Sequence, residues 1–141
     1  MIFSENGIKL LKELEACKLT AYKDTGGIWT IGYGSTSNVC EGMTITEEEA
    51  NTRLHVKTAD ITNLINGLVK VPLTQNQFDA LVIFTYNVGG NAFEHSTLLR
   101  QLNKKNFDLA ANEFGKWNHV NGKVVTGLTN RRTKERDLFI S

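Results

Sequence analysis

From Ser4 the apolar side chains recur at helical spacing, with Ile8, Leu11 and Leu14 on one stripe and Ser4 placed as an N-cap, so a helix is expected from Ser4 to about Leu14. Between residues 19 and 36 the period changes. β-branched and aromatic residues flank a Gly-Gly turn there, which predicts a β-hairpin. Everything later reads as helical. Thr46 with Glu49 is a capping box opening a long segment to about Gly67, whose apolar face is Ala50, Leu54, Ile61, Ile65 and Leu68. Thr74 with Gln77 is a second capping box. It opens "QFDALVIFTYNVGG", with Phe78, Leu81, Val82 and Thr85 facing inward and Gly89-Gly90 as the stop. Shorter helices are expected near Ser96 to Lys104, Phe107 to Trp117 and Thr129 to Ile140, and Pro72 separates the two long ones.

These elements predict one α+β domain over residues 1–141, with a small β-lobe at about 15–45 and a larger helical lobe at about 46–141 on which helix 4–14 packs. A cleft between the lobes is where a ligand is expected. At 141 residues, 40% of them hydrophobic, the chain suits one core and is short for two. No window approaches the roughly 18 uninterrupted apolar residues of a membrane span, and "MIFSENGIKLLKELE" is charged throughout, so no membrane insertion and an initially cytoplasmic protein are expected. Cys17 and Cys40 lack CxxC spacing and predict free thiols, and His55, His95 and His119 add no ligand spacing, so no metal or cofactor is expected.

Charge is uneven. Residues 1–99 carry 7 basic and 11 acidic side chains, net −4, whereas residues 100–141 carry 9 and 4, net +5. The C-terminal third is therefore a candidate surface for an anionic polymer, or equally a solvated helix face. "NRRTKER" has no zinc finger, glycine-rich loop or aromatic RNA-binding signature beside it, and no nucleic-acid partner is expected.

The chemistry gathers at "ELEACKLTAYKDTGGIWTIGYGST". Glu15 falls at the C-terminal end of the first helix, where the negative pole of the helix dipole disfavours a further negative charge and favours the protonated acid. Asp24 falls in a polar turn, a setting that suits the ionised form. Two carboxyl groups held in opposite protonation states are what a general acid and its basic partner require. The turn also decides where Thr30 points. A two-residue loop, Gly26-Gly27, places it on the face opposite Asp24. A three-residue loop, Thr25-Gly26-Gly27 with Gly27 left-handed, pairs 24 with 28 and 22 with 30 and puts Asp24 and Thr30 on one face. The second register is the expected one.

The spacing Glu15, eight residues, Asp24, five residues, Thr30 resembles the catalytic motif of the bacteriophage-type lysozymes, glycoside hydrolase family 24. "AYKDTGGIWTIGYGST", "ITEEEA", "LTQNQFDALVIFTYNVG", "STLLRQLN" and "GLTNRRTKERDLF" are similar to that family's blocks, in its order and over essentially the whole chain. The resemblance implies a mainly helical lysozyme-like fold with a glycan strand in the cleft, and hydrolysis of the β-1,4 bond between N-acetylmuramic acid and N-acetylglucosamine in peptidoglycan.

Carried over residue by residue, it implies that Glu15 protonates the leaving glycosidic oxygen and that Asp24 with Thr30 holds the attacking water. With that water in place the two carboxyl groups lie about 6.5 to 9.5 Å apart and the anomeric centre inverts; direct attack by Asp24 needs about 5 Å. Inversion is preferred. Tyr86, Asn87 and Asn130 match positions that contact the glycan. The resemblance further implies an endolysin, a monomer, kept in the host cytoplasm until a holin opens the membrane without touching it. Ser35 stands where many relatives have a structural histidine, which removes any ion pair that histidine would make. Two rivals remain, a catalytically inactive peptidoglycan-binding module, which would have lost Glu15 or Asp24, and a thiol hydrolase built on Cys17 or Cys40.

Overall fold

Ser4 begins the first helix, α1 (Glu5–Glu15), by accepting the Gly7 N–H on its Oγ at 3.1 Å, the N-cap expected of it. The computed structural model describes residues 1–141, which divide into two units, residues 8–59 and residues 1–7 with 60–141.

In the 8–59 unit, β1 (Lys18–Lys23) runs antiparallel to β2 (Trp29–Gly32). Gly27 sits at φ +78° and donates its N–H to Asp24 O at 3.0 Å, while the Asp24 N–H reaches Ile28 O at 2.9 Å. The loop is therefore Thr25-Gly26-Gly27. Tyr22 pairs with Thr30 and Lys23 with Trp29, the register the three-residue loop demands. On the other edge of β1, the Ala21 N–H donates to Met43 O at 2.8 Å and the Ile45 N–H to Leu19 O at 2.9 Å. After Gly32 the strand does not continue through residue 36 as expected. Ile31 and Ser35 exchange backbone bonds of 2.9 and 2.8 Å across a tight turn, with Gly32 at φ +64° and Gly34 at +75°. Ile31, Ile45 and Ala50 are the buried core of this unit, with Ala21, Tyr33, Val39 and Met43 packed against them. Ala50 comes from α2 (Glu47–Leu68), whose start is fixed by Thr46 Oγ1 accepting the Glu49 N–H at 3.1 Å. Further along α2, Leu54, Ile61 and Ile65 are buried, as its apolar stripe predicts.

The second unit is mainly helical and centres on α3 (Gln75–Val88). Thr74 and Gln77 make the full capping box, and Gly89, at φ +98°, ends the helix by donating to Thr85 O at 2.8 Å. Only one inward face was expected, yet every residue from Phe78 to Tyr86 is buried. Asp79 is tolerated inside because its Oδ1 accepts from the Ser4 N–H and from Gln75 Nε2, at 3.1 and 2.8 Å, and its Oδ2 from the Ser4 hydroxyl.

Three short helices follow, α4 (Gly90–Glu94), α5 (Thr97–Asn103) and α6 (Phe107–Glu113), the last continuing into a 3₁₀ turn at Phe114–Lys116. The chain then departs from the all-helical expectation. β3 (His119–Val120) and β4 (Lys123–Val124) form a small hairpin across Asn121 and Gly122, at φ +51° and +78°. An Asn-Gly pair with both residues left-handed is the preferred two-residue hairpin turn. The last helix, α7 (Thr126–Ile140), starts three residues earlier than expected, and its N-cap, Val125, offers no side-chain cap. It packs along α3. The ring of Phe84 meets those of Phe114 and Trp117 edge-on, with centroids 5.2 and 5.7 Å apart.

Candidate active site

Glu15 is the last residue of α1 and is half-buried. The helix stops there because Ala16 takes φ +54° and donates its N–H back to Lys12 O at 3.0 Å. A left-handed alanine is strained by about 1 kcal/mol or more, and it turns the chain at once into β1. Two residues of link separate Glu15 from the strand that leads to Asp24.

Asp24 is exposed in the hairpin turn, and its Oδ1 accepts the Gly26 N–H at 2.9 Å and the Ile28 N–H at 2.8 Å. Both bonds fall on one oxygen, so the carboxylate is oriented by the turn that carries it. Thr30 is 4% exposed, and its hydroxyl donates to Ile28 O at 2.9 Å. With its proton committed to its own strand, Thr30 Oγ1 remains an acceptor. The pairing of residue 22 with 30 puts Asp24 and Thr30 on the same face of the hairpin.

Tyr22, which sequence reasoning passed over, ties the group together. It lies directly across from Thr30. Its phenol is pushed above the usual 10.0 first by burial, then by the negative charges of Glu15 and Asp24. The signal was present in the sequence, since the three-residue loop puts 22, 24, 28 and 30 on one face. Lys18 Nζ stands over the Tyr22 ring, 5.5 Å from its centroid, and Lys23 Nζ over the half-buried Trp29 at 5.4 Å.

Ser35 is buried and its hydroxyl is bonded to Arg53. Arg53 Nη1 donates to Ser35 Oγ at 3.0 Å and to Ser37 O at 2.6 Å, so a hydroxyl and a carbonyl hold the guanidinium there. Cys17 and Cys40 are free and exposed, as expected. The Tyr33 phenol is also pushed up, first by burial, then by Cys17 and Glu47.

The other three predicted residues lie in the second unit. Tyr86 belongs to the buried run of α3 and is only 3% exposed. Asn87 follows it, exposed, and accepts on Oδ1 from Arg132 Nη2. Asn130 is exposed on α7. The expected basic surface of "NRRTKER" needs correcting at two positions. Arg131 is 8% exposed and Arg132 1%, and both bond to Glu135, which is 0% exposed, at 3.1 and 2.5 Å. Arg131 also donates to Ile83 O at 3.2 Å and Arg132 to Trp117 O at 2.8 Å. Burial pushes the Glu135 carboxyl up, and the Arg132 and Arg131 guanidiniums work against that rise. Both guanidiniums are buried and bonded to partners inside the unit, so neither is offered to a polymer outside it.

The family described as phage lysozyme matches residues 12–135. The chain is 45% identical over 145 residues to the endolysin of Acyrthosiphon pisum secondary endosymbiont phage 1, covering 100% of this chain and 99% of that protein. It is also 45% identical over 146 residues to the endolysin of Salmonella phage P22, covering 100% and 99%. Among solved structures it is similar to the endolysin from Escherichia coli O157:H7 phage FAHEc1, with a TM-score of 0.90 and 39% identity over 100% of this chain and 94% of that one.

Proposed function

The chain belongs to the phage lysozyme family and is a lysozyme-type hydrolase, and from that premise we propose that residues 1–141 act as one endolysin domain that hydrolyses the β-1,4 bond between N-acetylmuramic acid and N-acetylglucosamine in host peptidoglycan. Glu15 is the general acid. A sugar is a poor leaving group until its glycosidic oxygen is protonated, and the transition state is cationic at the anomeric carbon. Asp24 supplies the negative charge on the other side of the sugar and, with Thr30, holds the water that attacks. The Thr30 proton is already donated to Ile28 O, so its oxygen accepts one hydrogen of that water while Asp24 accepts the other. A water lone pair is then left to face the anomeric carbon, and the product is inverted.

The observation that carries this proposal is the local geometry: Glu15 ends α1 two residues before β1, and the register of the hairpin that follows puts Asp24 and Thr30 on one face. Asn87 and Asn130, both exposed, serve the glycan from α3 and α7, whereas Tyr86, at 3% exposure, belongs to the packing of α3. In the host the protein is a monomer that waits in the cytoplasm until a holin opens the membrane; no helix of the chain is long and apolar enough to cross a membrane.

One experiment tests chemistry and route together. Expressed alone in a Gram-negative host, wild-type protein should leave turbidity nearly steady and clear the culture abruptly after chloroform. Glu15→Gln should fold and not clear it, because the amide has no proton to give. Asp24→Asn should be severely impaired, and Thr30→Ala should fold and lose about 10²-fold in rate, since a misplaced nucleophile costs that much. Clearing by Glu15→Gln would sink the acid assignment, and clearing before chloroform would sink the holin-dependent route.

A further inference from the structure

We propose that Arg132 is a positioning residue that locks the side-chain amide of Asn87 with its N–H₂ outward, so that Asn87 reads a hydrogen-bond acceptor on the glycan, such as the carbonyl oxygen of an N-acetyl group. The proposal rests on the glycan reading above and adds to it the atom that makes the contact and the group that orients it.

A guanidinium has five donors and no acceptor, so whatever faces Arg132 Nη2 must accept. Asn87 therefore turns Oδ1 to it. The two amide hydrogens on Nδ2 are directed the other way, and Asn87 is an exposed residue. Arg132 has no freedom to follow a flipping amide. Its Nη1 bonds to Glu135 Oε1 at 2.5 Å, its Nε donates to Trp117 O at 2.8 Å, and its Cζ lies 5.1 Å from the Phe84 ring centroid. At 1% exposure it is held by anchors on α7, on α3 and on the segment after the 3₁₀ turn. Glu135, 0% exposed, is fixed in turn by Arg131 at 3.1 Å. A buried ion pair of this kind is weak evidence for stability; here it holds Arg132 in one geometry. Here that geometry ends on one exposed amide.

The locked amide makes Asn87 a donor and not an acceptor. Muramic and glucosamine units of a glycan strand differ from plain sugars in carrying an N-acetyl carbonyl, a stronger acceptor than a hydroxyl. A preoriented donor gains affinity because no rotamer or flip has to be frozen on binding.

Three variants test this through KM and kcat on soluble peptidoglycan strands. Asn87→Asp keeps an acceptor for Arg132 and removes the outward donor; Asn87→Ala removes both. Each should raise KM by about tenfold, the loss of one hydrogen bond, with kcat nearly unchanged. Asn87→Asp should melt no lower than wild type, because a carboxylate on the guanidinium is at least as good a partner as the amide oxygen. Arg132→Lys should raise KM in the wild-type background and leave it unchanged in the Asn87→Ala background, whereas a merely structural arginine would lower the melting temperature and leave KM alone. Should Arg132→Lys fail to fold, the comparison of Asn87→Asp with Asn87→Ala still decides. Wild-type KM in Asn87→Asp, or an equal effect of Arg132→Lys in both backgrounds, overturns the proposal. The glycosidase reading fails separately, if Glu15→Gln still turns substrate over.

Discussion

A phenol set beside two carboxylates ionises late, because each negative charge opposes a second one. Tyr22 is such a phenol, raised above 10.0 by burial and then by Glu15 and Asp24. A group whose folded value is raised contributes stability that is complete below the unfolded value and is lost as pH rises through the folded one. Tyr22 should therefore be neutral throughout the neutral range and weaken the fold only above about pH 10. In an absorbance titration of phenolate, with Tyr22→Phe to assign the signal, Glu15→Gln should lower the Tyr22 midpoint towards the ordinary value. An unmoved midpoint would mean that Glu15 is too far away to share a site with Asp24 and Thr30. Among single residues, Glu15 at a helix end, Asp24 in a turn and Thr30 on its face were legible because local rules of capping and pairing place them. The interior positions of Arg131 and Arg132 were not. Their burial depends on Glu135 one turn later, on Asn87, and on carbonyls 15 and 48 residues away in sequence, and no local pattern marks such partners.

At the scale of elements, the hairpin that carries Asp24 depends on one conformational requirement. Gly27 is at φ +78°, and a Cβ added there would meet nothing within 4 Å. The only cost of Gly27→Ala is then the left-handed backbone, about 1–2 kcal/mol. Denaturant unfolding should show that loss with the slope unchanged, and turnover well below the transition should persist, because the two bonds to Asp24 Oδ1 hold the register. Unchanged stability would mean that the loop has another conformation open to it. The same rule was available at Asn121-Gly122, where β3 and β4 were nevertheless missed: two-residue strands are too short to display an alternation. The early start of α7 was hidden for a related reason. Val125 gives no capping signal, whereas Thr46 and Thr74 announced their helices in the sequence.

For the molecule as a whole, the α+β class and the order of the long helices follow from periodicity, since each amphipathic stripe must be covered. What periodicity understated is α3. A stripe of Phe78, Leu81, Val82 and Thr85 describes one side of a helix whose other sides, Ala80, Ile83, Phe84 and Tyr86, are buried as well. From residue 78 to 86 the helix is enclosed on all sides, and only its ends are open to fraying. Deuterium should consequently reach the amides of residues 78–86 only when the unit of residues 1–7 and 60–141 opens as a body, while the exposed β3–β4 hairpin exchanges by local opening. Followed by mass after dilution into heavy water, peptides from α3 should be the last of that unit to gain weight, and their rate should rise with denaturant as steeply as global unfolding does. Exchange in α3 as fast as in β3–β4 would contradict this. If it tracks global unfolding instead, α3, the helix that carries Asn87, serves as an internal clock for the lifetime of the folded enzyme.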